Sequence, residues 1–228
     1  MKAALIIPAG GEGKRLGADI PKQYIRLLGK EIIIRTLEPF TEIDCIETII
    51  IAARRNWIDK LSELCHSYFP NKNIVIVEGG KERQDSVYNA LQSKYIAESE
   101  IILVHDAVRP FVKKELILSI ISAAEKYGAA IPGITPKNTI KLARGSFVAE
   151  TIDRSTLREI HTPQAFKSEV LIPAYNSAKS ENFSATDCST LVEMTGNEIA
   201  IVDSTYENIK ITTAFDIQIA EMLLKAEK

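Results

Sequence analysis

Short, unbroken apolar runs recur along this chain, and they limit what it can fold into more than any other feature. They read "AALIIPA" (3–9), "TIIIAA" (48–53), "IVIVEGG" (74–80), "IILVHDA" (101–107) and "AAIPGI" (129–134). Each is rich in Ile, Val or Ala and is continuous rather than alternating. That pattern suits strands covered on both faces, as in a parallel sheet. Segments with helical spacing lie between them: "EIIIRTLEPF" (31–40), "NWIDKLSELCHSYF" (56–69), "ERQDSVYNALQS" (82–93) and "KKELILSIISAAEKYG" (113–128). The last closes on Gly128, a common helix stop. The alternation predicts an α/β fold with a doubly wound, mostly parallel, Rossmann-like sheet.

The period breaks at residues 135–165. There "TIKL" (139–142) and "FVAETI" (147–152) flank "ARGS" (143–146), a turn signal, so the segment reads as a two-stranded arm projecting from the sheet. An isolated hairpin is marginally stable in water. The arm is therefore expected to pack on a second copy of the chain. After it come the segments "KSEVLIPAYNSA" (167–178) and "ATDCSTLVEMTG" (185–196), a strand "EIAIVDS" (198–204), a segment "NIKIT" (208–212) and a last helix from 214. With no repeat and no linker rich in Pro, Gly or Ser, residues 1–228 read as one domain with the arm inserted in it.

A chain of 228 residues can bury a core without staples, and its net charge of −2 argues against a general nucleic-acid binder. The three cysteines, Cys45, Cys65 and Cys188, are odd in number and form no C-x-x-C pair. They suggest neither a disulfide frame nor a zinc site, and point to a reducing cytoplasm. The apolar run at the N-terminus is too short for a membrane span and is interrupted too soon for a signal peptide.

The chemistry gathers at "IIPAGGEGKRLGADIPKQY" (6–24). In open α/β sheets, ligands sit beyond the carboxyl ends of strands, which is where this loop begins. It is not a dinucleotide fingerprint, because after Gly11 and Gly13 the next glycine is Gly17, one residue late. Nor is it a Walker loop, since Gly13-Lys14 is followed by Arg15. What remains is physical. Glycines let backbone N–H groups approach an anion, Lys14, Arg15 and Lys22 add charge, and Pro21 biases Ile20 away from helix. This suits a nucleoside triphosphate, whose reacting phosphorus is stabilised by clamps of Lys, Arg and metal.

With its neighbours, "PAGGEGKRLGADIPKQY" resembles the signature of nucleotidyltransferases that couple a sugar or polyol phosphate to a nucleotide. The best match among these is the 2-C-methyl-D-erythritol 4-phosphate cytidylyltransferase family. "GGKERQDSV" (79–87), "VHDAVRPF" (104–111), "TIDRSTLREIHTPQAF" (151–166), "ATDCSTLVE" (185–193) and "ENIKIT" (207–212) agree as well, so the likeness spans nearly the whole chain. The resemblance implies that Arg15 and Lys22 stabilise the transition state and that Arg154 and Lys210 position the attacking phosphate. It implies a CTP site of Pro8, Ala9, Gly10, Gly11, Gly13, Gly79, Gly80, Ser86 and Asp106. It implies a polyol-phosphate site of Asp106, Arg109, Thr139, Arg154, Thr162, Thr186 and Asp187, with the arm's part supplied across a homodimer. Asp106 at a strand end is suited to holding Mg²⁺, directly or through water, or to accepting bonds from polyol hydroxyls. His105 reads as a packed or positioning residue. Lys81 has no assigned role, and His161 stands where relatives often carry Gln.

The implied reaction is attack of a methylerythritol phosphate oxygen on the α-phosphorus of CTP, with loss of pyrophosphate. The nucleophile is already ionised, so no general base is needed, in keeping with the absence of a triad or paired carboxylates from the sequence. Two other enzymes compete with this reading. Ribitol-5-phosphate cytidylyltransferase shares the loop and its lysine; "TIDRS" and "GGKER" favour methylerythritol, whereas "HDAVRPF" and "IKITTAFD" lean toward ribitol. An NADP-dependent oxidoreductase would use Arg54 and Arg55 after the second run, but the glycine count and the lack of a proton relay oppose it. A non-catalytic CTP-binding regulator would have no use for Arg15, Lys22, Arg154 and Lys210. No nucleic-acid or membrane partner is expected.

Overall fold

In the computed structural model the described residues are 1–11 and 20–226; Gly13, Lys14 and Arg15 of the glycine loop lie outside them. The elements run β1 (Ala3–Ala9), β2 (Arg26–Leu27), β3 (Lys30–Glu31), α1 (Ile32–Thr41), β4 (Ile46–Ala53), α2 (Ile58–Tyr68), β5 (Ile74–Glu78), α3 (Arg83–Leu91) and β6 (Ile101–Val104). They continue with α4 (Lys114–Tyr127), β7 (Ala129–Ile134), β8 (Ile140–Arg144), β9 (Phe147–Ile152), β10 (Glu159–Ile160), β11 (Gln164–Lys167), α5 (Ser168–Ser180), α6 (Cys188–Met194), β12 (Ala200–Asp203) and α7 (Ala214–Ala226).

The main sheet has the order β10-β7-β11-β6-β1-β4-β5, with β12 paired to β7. β1 pairs parallel with β4 and β6, and β4 parallel with β5. The chain builds outward from β1 through β4 to β5, then crosses back to β6 on the other side. This reversal opens a crevice at the carboxyl ends of β1 and β6, the usual ligand position in such sheets. β11 and β10 are antiparallel insertions: β11 runs between β6 and β7, and β10 continues along β7. A cis peptide joins Thr162 to Pro163 between them. The sequence reading placed residues up to 165 in the projecting arm; the structure instead puts β10 and the start of β11 in the main sheet, paired with β7 and β6.

The continuity of the apolar runs has its expected cause. Along β1, Leu5 and Ile7 join Leu37 and Phe40 of α1, Leu61 of α2 and Ile117 and Ile121 of α4. Ala4 and Ile6 point the other way, to Val87 of α3, Leu171 and Tyr175 of α5 and Leu191 of α6. Each face of the strand is therefore covered by helices. α4 ends at Gly128, whose φ of 91° belongs to the left-handed region. A smaller cluster of Leu27, Ile32, Val108, Phe111, Ile211 and Ala220 anchors α7.

The arm is shorter than the expected 135–165: its hairpin spans Ile140 to Ile152, and residues from Glu159 onward rejoin the main sheet. β8 and β9 pair antiparallel in a sheet of their own, Ile140 opposite Ile152 and Arg144 opposite Phe147. Pro21 does not simply end structure, for a single 3₁₀ turn follows it directly at Lys22–Tyr24. No helix among the described residues is long and apolar enough to cross a membrane.

Candidate active site

Asp106, placed by the carboxyl end of β6, anchors the crevice. Its Oδ1 accepts from Arg83 Nε at 3.1 Å, and its Oδ2 lies 2.9 Å from Lys210 Nζ and 3.5 Å from Arg109 Nε. The carboxylate side chain is only 9% exposed. Burial alone would raise its pKa, but the charges of Arg83, Lys210 and Arg109 outweigh burial and hold it well below the usual carboxylate range. It is therefore ionised at every pH of interest. Arg109 is pinned from behind, donating from Nη1 to the Asn208 carbonyl at 2.7 Å. Asn208 is buried, and its Nδ2 donates to the Thr162 carbonyl at 2.9 Å. These bonds fix the irregular segment that carries Lys210.

The backbone N–H of Asp106 donates to Thr162 Oγ1 at 3.1 Å, and that hydroxyl sits 3.0 Å from His105 Nδ1. His105 Nε2 faces the Arg109 carbonyl at 3.0 Å, so it must carry the ring proton and leave Nδ1 to accept from Thr162. Burial lowers the His105 pKa to about 4, so the ring is neutral and works as a brace rather than a base. The Thr162 hydroxyl is likewise occupied inside the fold.

Two cavities share this wall. One, of about 300 Å³, is lined by Pro8, Ala9, Gly10, Gly11, Lys22, Gln23, Gly80, Lys81, Glu82, Arg83, Ser86, Asp106 and Lys210, among others. Most of the expected nucleotide residues that are described gather here, with Lys22 and Lys81 contributing charge. Gly80 is required by packing, since a Cβ there would come within 2.1 Å of Asp85 Cβ. Ser86 Oγ accepts from the Gly80 N–H at 3.1 Å and faces the Glu82 carbonyl at 3.0 Å, so it also holds the turn it was expected to read from. Gln23 was missed by the sequence reading. It is buried, and its Nε2 donates to the Ala9 carbonyl at 2.6 Å and reaches that of Gly11 at 3.3 Å, tying the Lys22 turn to the glycine segment. Arg54, just after β4, donates from Nε to the Gly10 carbonyl at 2.9 Å and so ties the end of that strand to the glycine segment.

The second cavity, of about 600 Å³, is lined by Arg83, Asp106, Arg109, Arg158, His161, Thr162, Gln164, Thr186, Asp187 and Lys210, among others. Asp187 caps α6: its Oδ1 accepts from the Thr190 N–H at 3.0 Å and its Oδ2 from Gln164 Nε2 at 2.7 Å. Burial would raise its pKa, yet these bonds lower it. Gln164 and Arg158 are further residues the sequence reading passed over. Thr139 and Arg154 line neither cavity. Arg154 is exposed on the arm side, with Nη1 on the Lys137 carbonyl. Another cavity, of about 640 Å³ beside Tyr24, Glu31 and Lys60, has none of the expected site residues among the described residues that line it. The described residues contain no group of three or more His, Cys, Asp or Glu arranged to hold a metal ion.

A crevice with a glycine-lined compartment, a second polar compartment and cations on the wall between them can bring two anionic substrates together. Comparison with known proteins agrees. The family model for IspD, 2-C-methyl-D-erythritol 4-phosphate cytidylyltransferase, matches residues 3–226. A protein of that name from Bacillus mycoides (strain KBAB4) is 42% identical over 224 residues, covering 98% of each chain. Another of that name, from Clostridium perfringens (strain SM101 / Type A), is 40% identical over 225 residues, covering 98% of this chain and 99% of its own. The crystal structure of 4-diphosphocytidyl-2C-methyl-D-erythritol synthase from Anaerococcus prevotii DSM 20548 matches with a TM-score of 0.87 and 31% identity, covering 98% of each chain. The chain therefore belongs to the IspD family of 2-C-methyl-D-erythritol 4-phosphate cytidylyltransferases.

Proposed function

We propose that this protein joins CTP and 2-C-methyl-D-erythritol 4-phosphate to give 4-diphosphocytidyl-2-C-methyl-D-erythritol and pyrophosphate, a step of isoprenoid biosynthesis. The observation that carries this reading is the shared wall of Asp106, Arg83 and Lys210 between the glycine-lined cavity and its polar neighbour. A nucleotide in the first and a polyol phosphate in the second would meet there.

In the proposed reaction a phosphate oxygen of the polyol phosphate forms a bond to the α-phosphorus of CTP. The bond from that phosphorus to the bridging oxygen breaks, and its electron pair leaves with pyrophosphate. Lys22 and Arg15 stabilise the charge that builds at phosphorus, the largest contribution a protein makes to such a transfer. Gly10, Gly11 and Gly13 cradle the triphosphate with backbone N–H groups. Gly79, Gly80 and Ser86 form the floor under the base. Lys210 holds the attacking phosphate, and Arg109, Thr186 and Asp187 surround the polyol.

The proposal takes a divalent cation, Mg²⁺, as the charge-neutralising partner of the triphosphate. Both oxygens of Asp106 are taken by cationic side chains, which does not fit direct ligation by that residue alone. Mg²⁺ keeps several waters and commonly binds through substrate phosphates, so the nucleotide itself is its proposed carrier.

We further propose a homodimer through residues 135–165, with Arg154 and Thr139 reaching the partner's polyol-phosphate site. Exposed apolar side chains on the arm and the position of Arg154 outside both cavities support it. The unpaired Cys45, Cys65 and Cys188 support a cytoplasmic setting. The deciding experiment is pyrophosphate release with CTP, Mg²⁺ and either methylerythritol phosphate or ribitol phosphate. Turnover with the first and little with the second is expected. Turnover with ribitol phosphate alone would replace the substrate assignment.

A further inference from the structure

Arg83 belongs to no role in the proposed chemistry, yet it lines both cavities and holds Asp106 Oδ1. The other carboxylate oxygen, Oδ2, meets Lys210 and Arg109. The two oxygens of the carboxylate thus face different cations, Arg83 on one side and Lys210 with Arg109 on the other. Its guanidinium is held in turn: Nη1 reaches Cys188 Sγ at 3.5 Å, and Cys188 Sγ lies 3.1 Å from the Tyr175 hydroxyl. Cys188 and Tyr175 are both buried, on α6 and α5. Tyr175, Cys188, Arg83, Asp106 and Lys210 therefore form one polar line, running from between two helices to the wall of the crevice.

A cysteine used only as a small core filler would need no polar neighbours. Here the sulfur is a weak acceptor between a phenol and a guanidinium, in surroundings where a polar group without a partner is expensive. A guanidinium can serve Asp106 and Cys188 at once through its rigid fork, which the single nitrogen of a lysine cannot do.

We infer that Arg83, braced from behind by the buried Cys188–Tyr175 pair, is a positioning residue that orients the Asp106 carboxylate and through it Lys210. The inference deepens the cytidylyltransferase reading and rests on it, because Lys210 is the group proposed to face the attacking phosphate. A misdirected Lys210 slows the bond exchange without loosening CTP, since a small error in placement can cost about 100-fold in rate.

The test is steady-state pyrophosphate release by full-length variants, normalised to folded protein. Arg83→Ala is expected to lower kcat roughly 100-fold with the KM for CTP held within about threefold, the pattern of an interaction made in the transition state. Millimolar guanidinium, far below denaturing concentration, restores part of the Arg83→Ala rate, and Arg83→Lys does not recover it. Cys188→Ala lowers kcat about tenfold, whereas Cys188→Ser, which keeps an acceptor, stays within about twofold of wild type. Equal rates in Cys188→Ala and Cys188→Ser would reduce the cysteine to packing. A rise in the CTP KM that matches the fall in kcat would make Arg83 a nucleotide ligand instead. Both results overturn the inference.

Wild-type turnover separates the two levels: an inactive wild type sinks the cytidylyltransferase reading, and an active wild type with unaffected variants sinks this one. The brace also has a readout independent of activity. The ¹⁵N-resolved Nη1–H signal of Arg83, the group that reaches Cys188 Sγ, should be protected from exchange in wild type and Cys188→Ser and lose protection in Cys188→Ala. Unchanged protection in Cys188→Ala would overturn the brace.

Discussion

The Asp106 wall and the β8–β9 arm are both rich in polar groups, and they are built in opposite ways. At the wall each charged group is matched inside one chain: Asp106 meets Arg83, Arg109 and Lys210, and Arg109 and Asn208 are tied to backbone carbonyls or side chains around them. On the arm the apolar groups are the unmatched ones. Phe147 is 80% exposed and Val148 64% exposed, on a hairpin with no sheet behind it. A buried charge is tolerated only when its partners are in place, so the wall must be complete within the protomer. An exposed apolar hairpin loses nothing by waiting for its cover. In the proposed homodimer the wall, with Lys210, belongs to one chain, and the arm would carry Arg154 to the site of the other.

Replacing Lys22 or Arg15 with Ala tests the first half most severely. Each should lower kcat by about 10²–10³-fold, the range for losing one donor to a developing anion, while the melting temperature holds. Near-normal turnover in either variant would remove the catalytic assignment. The second half can be broken by mixing two impaired proteins and assaying them with polyol phosphate well below the wild-type KM. Arg154→Ala alone should raise the KM for the polyol phosphate by more than tenfold and leave CTP binding nearly unchanged. If Arg154 serves the partner's site, co-refolding Lys22→Ala with Arg154→Ala restores activity to roughly a quarter of wild type, since half the dimers are mixed and one of their two sites is intact. No recovery in the mixture would place Arg154 in its own chain's site.

The same contrast explains how much could be read in advance. The strands were legible because a strand buried on both faces writes itself as a continuous apolar run, and the arm was legible because it breaks that run. Asp106, Lys210, Thr186 and Asp187 were legible through local motifs, and the fold brings all four to one crevice. Arg83, Gln164 and Asn208 were not, because their meaning lies in partners distant along the chain. Arg83 looks like any polar residue of α3 until Asp106, 23 positions on, is seen beside it. The antiparallel β10–β11 insertion was hidden for a related reason: its strands are short, and their register is set by β6 and β7 rather than by their own pattern. Arg154 was expected at the phosphate site, yet in one chain Arg158 from the same segment is the one that lines the cavity.

Stability separates the two regions at smaller magnitudes. Asp106→Asn strands three cations around a group that no longer carries charge, and the loss of one partner from such a buried set costs about 3 kcal/mol. For a chain of this size that lowers the melting temperature by roughly 10 °C. A shift of only one or two degrees would mean that the wall is better solvated than its burial implies. The cap of α7 is a half-buried counterpart. Asp216 Oδ2 accepts from the Thr212 N–H at 2.8 Å and the Thr213 N–H at 2.8 Å, as well as from both threonine hydroxyls. Asp216→Ala should cost about 1 kcal/mol by urea titration, the ordinary size of a lost helix cap, with turnover unchanged.

His161 sits at the seam, between β10 and β11, where the chain returns from the arm to the sheet. Its backbone N–H donates to the Pro132 carbonyl at 2.8 Å, and its Nδ1 lies 3.2 Å from Ser204 Oγ. Burial first, and the charge of Arg109 second, lower its pKa from 6.5 to about 4. The unfolded chain therefore binds the proton at a higher pH than the folded one does. The stability this neutral ring contributes is complete above about pH 6.5 and is lost as the pH falls toward 4. His161→Gln removes the titration and leaves a polar side chain. His105, also held neutral by burial, supplies a background slope common to both proteins. The urea midpoint of wild type should therefore fall more steeply between pH 7.5 and pH 5 than that of His161→Gln. Parallel midpoints across that range would mean the His161 ring is as well hydrated folded as unfolded, and that the seam is open to water as the arm is.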